Sequence, residues 1–145
     1  MLALSVTDVK GFMVKLLKGK VFDDFQLRNA VVNTFARFEI FGANENGCAT
    51  WGAVKPHVYG IIRGGTPPKS IKVIFAKEMP GADADSKDAT SLFINMHFED
   101  AKVNLTTGVS KKGFSLDKSD ERAWDAEVLQ FLDKNEITYI NEMEG

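Results

Sequence analysis

The sequence is poor in the residues that form cross-links and metal sites. Cys48 is its single cysteine, and its two histidines are His57 and His97. One cysteine excludes an internal disulfide and any zinc site that needs several cysteines. Chains without disulfides are typical of reducing compartments, so we expect a cytoplasmic location.

Long apolar runs and an excess of one charge are also missing. No stretch reaches the roughly 18 consecutive apolar residues of a membrane-spanning helix, so we expect no membrane partner. The first segment, MLALSVTDVK, lacks the basic region of a signal peptide. With 18 basic and 20 acidic side chains the net charge is −2, which does not favour nucleic acid as a partner.

What is present indicates a single domain spanning residues 1–145, with eleven phenylalanines to fill its core. Its most regular stretch is Ser91–Asp117. If Asp100 and Ala101 form a two-residue turn, every large aliphatic side chain falls on one face. A further reversal at Lys111–Gly113 would add a third strand to this meander. The predicted pairs are Glu99/Lys102, Phe98/Val103, Met96/Leu105, Ile94/Thr107 and Leu92/Val109.

The segment Phe22–Gly42 fits two structures. Its apolar residues form a plausible helical stripe, but its β-branched and aromatic residues are those that sheets favour. We interpret it as one long, bulged strand from about Leu27 to Phe41. A further strand is predicted at Ser70–Glu78. Ile137–Ile140 is a short terminal strand or an apolar clasp, and Met1–Leu4 is an edge strand or a docked terminus. The predicted loops are Asn44–Gly47 and Pro80–Lys87.

Three amphipathic helices follow from apolar residues at helical spacing. Trp51 and Trp124 lie on their stripes and are expected in the core. Pro56 means that the second helix either begins near Lys55 or is kinked. The helices are Val6–Leu17 with a Ser5/Asp8 capping box, a segment from a Thr50 cap to Ile62 ended by Gly64 and Gly65, and one from an Asp117 or Ser119 cap to about Asn135.

These elements predict an α+β fold in the order α-β-α-β-β-β-β-α. It is a single two-layer domain, with a mostly antiparallel sheet of about five strands and three helices on one face. The other face of the sheet would be open or covered by a partner.

Nine short motifs are distinctive as a set. They are Thr7-Asp8-Val9-Lys10, Leu16-Leu17, Phe22-Asp23 with Phe25, Trp51 to Pro56, Ile62-Arg63-Gly64, Thr66-Pro67, Thr106-Thr107-Gly108, Leu116-Asp117-Lys118-Ser119 and Ala123-Trp124-Asp125. Together they resemble an uncharacterised domain-of-unknown-function family of short cytoplasmic proteins from Gram-positive bacteria. The resemblance implies one full-length domain in a bacterial cytoplasm and carries no activity. The chain departs from the family in a short Gly42–Ala49 loop and at Gly65.

No residue pattern predicts a catalytic, cofactor or metal site. His97 has only Glu99 nearby in the predicted register, and nothing predicts that His57 approaches it. Cys48 has no basic residue within four positions to activate its thiol. Arg63-Gly64-Gly65-Thr66 follows a helix and lacks the phosphate-loop spacing. We therefore expect no cofactor, and the sequence favours a protein without enzymatic activity.

The remaining hypothesis is binding through the open face of the sheet, by self-association as a homodimer or by docking on another protein. One alternative is a small-molecule pocket, enzymatic or not, between helices and sheet. Another is weak binding of single-stranded nucleic acid, with stacking on one phenylalanine. The predicted interaction face comprises Lys72, Ile74, Phe93, Asn95, His97, Lys102, Asn104 and Thr106.

Overall fold

A computed structural model describes residues 1–45, 47–64, 66–78, 89–111 and 119–142. The fold is α+β, as predicted. The helices are α1 (Val9–Leu17), α2 (Trp51–Ile62) and α3 (Ser119–Lys134). The strands are β1 (Ala3–Val6), β2 (Gln26–Asn33), β3 (Arg37–Phe41), β4 (Ala43–Asn44), β5 (Gly47–Cys48), β6 (Ser70–Glu78), β7 (Ala89–Glu99), β8 (Lys102–Lys111) and β9 (Tyr139–Asn141).

The main sheet has seven strands in the order β3-β2-β6-β7-β8-β1-β9, and every neighbouring pair is antiparallel. The predicted count of about five strands and the predicted element order are therefore wrong. Four differences contribute to this. The N-terminal segment is a strand inside the sheet, the C-terminal strand β9 pairs with it, the Leu27–Phe41 segment forms two strands, and β4 and β5 make a separate ribbon.

The β7–β8 hairpin is confirmed in its predicted register, from Glu99/Lys102 to Leu92/Val109. Its turn residues Asp100 and Ala101 have φ angles of 53° and 60°. Both lie in the left-handed region, which a two-residue turn of this type requires. The turn thus fixes the strand register, and the register puts Leu92, Ile94 and Met96 in the core.

The single strand predicted from Leu27 to Phe41 is wrong, because β2 and β3 form a hairpin around Thr34–Ala36. Asn33 pairs with Arg37, and the Thr34 amide donates to the Ala36 carbonyl at 3.0 Å. The predicted irregularity exists, since the pairing of β2 with β6 shifts between Leu27 and Asn29. The alternation of apolar and polar residues does not reveal this turn. Even-numbered residues pair with even-numbered ones across it, so the same alternation continues from β2 into β3.

Helix α1 begins later than predicted, and the Ser5/Asp8 capping box does not form. Ser5 belongs to β1, where it pairs with Asn104 and Ile140. Asp8 is the N-cap instead, and its side chain accepts from the amide of Gly11 at 3.0 Å. A backbone already committed to two neighbouring strands cannot also start a helix, so sheet pairing overrides the capping pattern.

Helix α2 starts at its predicted cap, Thr50, and runs through Pro56. The alternative start near Lys55 is therefore wrong. The indole nitrogen of Trp51 donates to the Leu16 carbonyl at 2.9 Å. Lys55 Nζ lies 2.7 Å from both the Gly19 carbonyl and Asp23 Oδ1. These bonds attach α2 to the end of α1 and to the segment that follows it.

Phe22 joins the helices to the sheet. It is fully buried, and its ring stacks on Phe75 of β6 with centroids 4.9 Å apart. It also meets Phe12 of α1 and Phe131 of α3 edge to face, each at 5.5 Å. The two tryptophans lie in the same core, as predicted. All three helices therefore pack on one face of the sheet.

Three predictions fall outside the described residues: the Pro80–Lys87 loop, the third meander strand after Lys111 and the Asp117 cap. The predicted strands at Ser70–Glu78 and near Tyr139–Ile140 are confirmed. Within the ranges that the structure covers, no helix is long and apolar enough to cross a membrane.

The left-handed conformation of Ala101 predicts that Ala101→Gly stabilises the fold. Glycine has no Cβ to strain at φ 60°, so we expect the free energy of unfolding to rise by about 0.5–1 kcal/mol. Ala36→Gly is the matched control, because Ala36 lies in the turn between β2 and β3 and its φ angle is not positive. Urea denaturation should show a loss of about 0.5 kcal/mol for the control. A loss of stability in Ala101→Gly would contradict this account of the turn.

Candidate functional site

The face of the sheet opposite the helices, here called the open face, carries all eight residues of the predicted interaction face. They alternate with buried residues along β6, β7 and β8. Val73 and Phe75 point into the core, for example, so Lys72 and Ile74 point away from it. Three of the eight, Lys72, Lys102 and Asn104, are exposed, and the other five are partly buried.

Several of these side chains contact neighbours on the same face. The Arg28 guanidinium lies 5.0 Å from the centre of the Phe93 ring, in a cation–π contact. The Asn95 amide donates to Thr106 Oγ1 at 3.1 Å. His97 Nε2 lies 3.2 Å from Glu99, an ion pair when the imidazole is protonated. Phe93 is therefore covered by a cation on one side and is not a free stacking platform.

A depression of about 440 Å³ lies on the open face between β3 and β7. Lys72 stands near its centre, directly across from Val31 on one side and His97 on the other. Val31 is 8% exposed and forms, with Ile74, an apolar floor. The complete lining is Asn29, Val31, Asn33, Arg37, Glu39, Ser70, Lys72, Ile74 and His97.

Only three of these lining residues were among those predicted: Lys72, Ile74 and His97. The other six lining residues were not predicted, and most of them lie on β2 and β3. They were missed because the predicted single long strand cannot place Arg37 and Glu39 beside Asn33 and Val31. The hairpin does so by pairing Asn33 with Arg37 and Val31 with Glu39. The period-two alternation of Arg37 and Glu39 with Phe38 and Ile40 is the sequence signal that could have found them.

The open face has a cationic surplus among its described side chains on β2, β3, β6, β7 and β8. Its cations are Arg28, Arg37, Lys72 and Lys102, and its acids are Glu39 and Glu99. Arg37 contacts Glu39 at 2.7 Å. Lys72 has no ion pair with any residue that the structure describes. It is therefore the cation in the depression that is available to a ligand.

The two histidines are on opposite sides of the sheet. His57 is exposed on α2, which packs on the core face, whereas His97 lies on the open face. In the described part of the chain, no three histidine, cysteine or acidic side chains are grouped as a metal site would require. Cys48 is exposed, and its sulfur lies 3.1 Å from the Leu27 carbonyl.

A second feature, the aromatic hollow, lies between the sheet and α3. One part, of about 90 Å³, is lined by Phe25, Lys77, Ile94, Trp124, Glu127, Val128 and Phe131. An adjoining part, of about 220 Å³, shares Phe25, Lys77 and Phe131 and adds Val21 and Asp24. Lys77 Nζ contacts Glu127 Oε1 at 2.5 Å at this hollow.

Comparison with known proteins gives one match. The model of a family of unknown function (DUF5721) matches residues 42–140, about two thirds of the chain. No curated protein and no solved structure matches the chain. The matched region runs from the end of β3 to β9, so it contains α2, α3 and the strands that carry Lys72 and His97. This chain therefore belongs to the family of unknown function (DUF5721).

Proposed function

We propose that this protein is a non-enzymatic binding domain that docks on a partner protein through its open face. The observation that carries the proposal is Lys72, an unpaired cation among the described residues, above an apolar floor. The amides of Asn29 and Asn33 and the imidazole of His97 surround it. Protein interfaces combine an apolar centre with a polar rim in this way.

The chemistry of the depression selects an acidic partner segment. A carboxylate placed over Lys72 would receive a charge-assisted hydrogen bond, and neighbouring amides could donate further bonds. An apolar residue next to that carboxylate would cover Val31 and Ile74. The cationic surplus of the face would attract such a segment, although the whole chain is slightly acidic.

We also propose that the protein acts in the cytoplasm of a Gram-positive bacterium, which is the location that the family resemblance implies. Support for a reducing compartment comes from Cys48, which is a free and exposed thiol. Exposed single thiols are vulnerable to intermolecular disulfide formation in oxidising compartments.

An acidic peptide tests the docking proposal. In amide NMR spectra, a capped peptide of alternating glutamate and valine should shift residues around Lys72 and His97. Lys72→Met keeps the aliphatic stem but removes the charge, so it should weaken binding about fivefold, as for the loss of an exposed ion pair of about 1 kcal/mol. Lys102→Met removes a cation from the same face outside the depression, so it should weaken binding much less than Lys72→Met does, by less than about twofold.

Two outcomes would contradict the docking proposal. Equal weakening by Lys72→Met and Lys102→Met would mean that the peptide senses only the overall charge of the face. Stronger binding of oligothymidylate than of the acidic peptide, with a steep loss of affinity in salt, would assign the face to single-stranded nucleic acid instead.

The aromatic hollow supports a second candidate function, the binding of an amphiphilic carboxylic acid. Phe25, Phe131 and Trp124 would surround an apolar chain, because small-molecule sites are lined mainly by hydrophobic and aromatic side chains. Lys77 would exchange Glu127 for the carboxylate of the ligand. This exchange replaces one ion pair by another, so it costs little electrostatic energy.

Trp124 allows a direct test of the hollow, since it lines the hollow whereas Trp51 does not. Octanoate should change the tryptophan fluorescence, and Trp124→Phe should remove that change. Lys77→Met should weaken octanoate binding about fivefold while leaving octanol binding intact, because only the acid uses the ammonium group. A fluorescence response to neither compound, or the same loss for both in Lys77→Met, would overturn this candidate.

A further inference from the structure

Strand β3 lies at one edge of the main sheet. Its five residues pair with β2 on one side. On the other side no described strand pairs with it, so alternate N–H and C=O groups point outward. Such an edge is a template for another strand, and proteins usually blunt it with a proline, a bulge, a very short strand or charged side chains. β3 has no proline, and the irregularity of β2 is on its pairing with β6.

The exposed side chains of β3 combine opposite charges with an aromatic ring. Arg37 and Glu39 lie on the open face, with side chains 61% and 42% exposed. Phe41 lies on the same face and is 65% exposed. On the core side, Phe38 and Ile40 are partly buried. Charges of both signs do not repel every incoming strand, because an antiparallel partner can match them.

One antiparallel register of β3 with itself matches these charges. A two-fold axis perpendicular to the sheet keeps core-side residues beside core-side residues. If the axis passes at Phe38, Arg37 of each copy lies across from Glu39 of the other, which gives two ion pairs. If it passes at Glu39, two like charges face each other. Opposite charges stabilise directly paired positions and like charges destabilise them.

We propose that two copies of this chain associate by antiparallel pairing of their β3 strands, centred on Phe38 and held in register by Arg37 and Glu39. The dimer has one continuous sheet of fourteen strands, because each copy contributes its seven. Its open faces lie on the same side, and since Arg37 and Glu39 also line the depression, the two depressions meet at the axis. The pairing uses the edge of the sheet, so it does not depend on the proposed docking function.

Charge exchange tests the edge and its register together. Sedimentation of the full chain should show a dimer for the wild type. Arg37→Glu and Glu39→Arg each create two like-charge contacts and should raise the dissociation constant about tenfold or more. Mixing these two variants restores both ion pairs and should give a heterodimer, and the double exchange R37E/E39R should dimerise by itself. Circular dichroism verifies that each variant is folded.

Ile74→Glu separates this proposal from association through the open face. Ile74 is on the depression floor away from the β3 edge, so the edge dimer should persist in this variant. A dimer that is lost in Ile74→Glu but kept in Arg37→Glu would assign self-association to the open face and overturn the proposal. A wild-type monomer at all concentrations would also overturn it, while leaving peptide docking at Lys72 to be judged separately.

Discussion

The turn at Asp100 and Ala101 is the constraint that decides which side chains of β7 and β8 lie in the core and which lie on the open face. Because side chains alternate along a strand, a slip of β8 by one residue against β7 would exchange the two faces of β8. Leu105 would then leave the core and Asn104 would enter it, while Met96 of β7 stayed in place beside Val73. The left-handed turn excludes that slip by fixing Glu99 opposite Lys102. By fixing the register of β7 and β8, the turn determines which of their side chains enter the core and leaves the polar ones on the open face.

A second constraint keeps the helices on one side. Phe22 touches rings from α1, β6 and α3, and Lys55 and Trp51 bind backbone carbonyls at the end of α1. Buried aromatic contacts and hydrogen bonds to partly buried carbonyls are expensive to lose. The helices therefore cannot move to share the two faces of the sheet. One face remains uncovered by the described elements, and its residues meet solvent or a partner.

Sequence patterns predicted the α+β class, the β7–β8 register and the common side of the sheet on which the eight residues of the predicted interaction face lie, since each depends on local alternation or turn chemistry. They failed where a longer-range partner decided the outcome. Ser5 resembles a helix cap, yet its backbone pairs with Asn104 and Ile140. The β2–β3 turn was hidden because Ala30, Val32, Phe38 and Ile40 keep the same alternation across it. Most residues that line the depression were missed for the same reason, since the depression needs β3 beside β2.

Arg37 and Glu39 connect the face to the edge. They line the depression and also form the proposed contacts across the two-fold axis. In one copy alone, Glu39 is the acid beside Arg37; in a dimer, each guanidinium would divide its interaction between two carboxylates. The potential felt by a ligand over Lys72 would then depend on the second copy. Linkage requires the effect to be mutual: a ligand that binds the dimer more tightly than the monomer must also strengthen the dimer. Sheet edge and sheet face, although chemically distinct surfaces, would thus act as one coupled system.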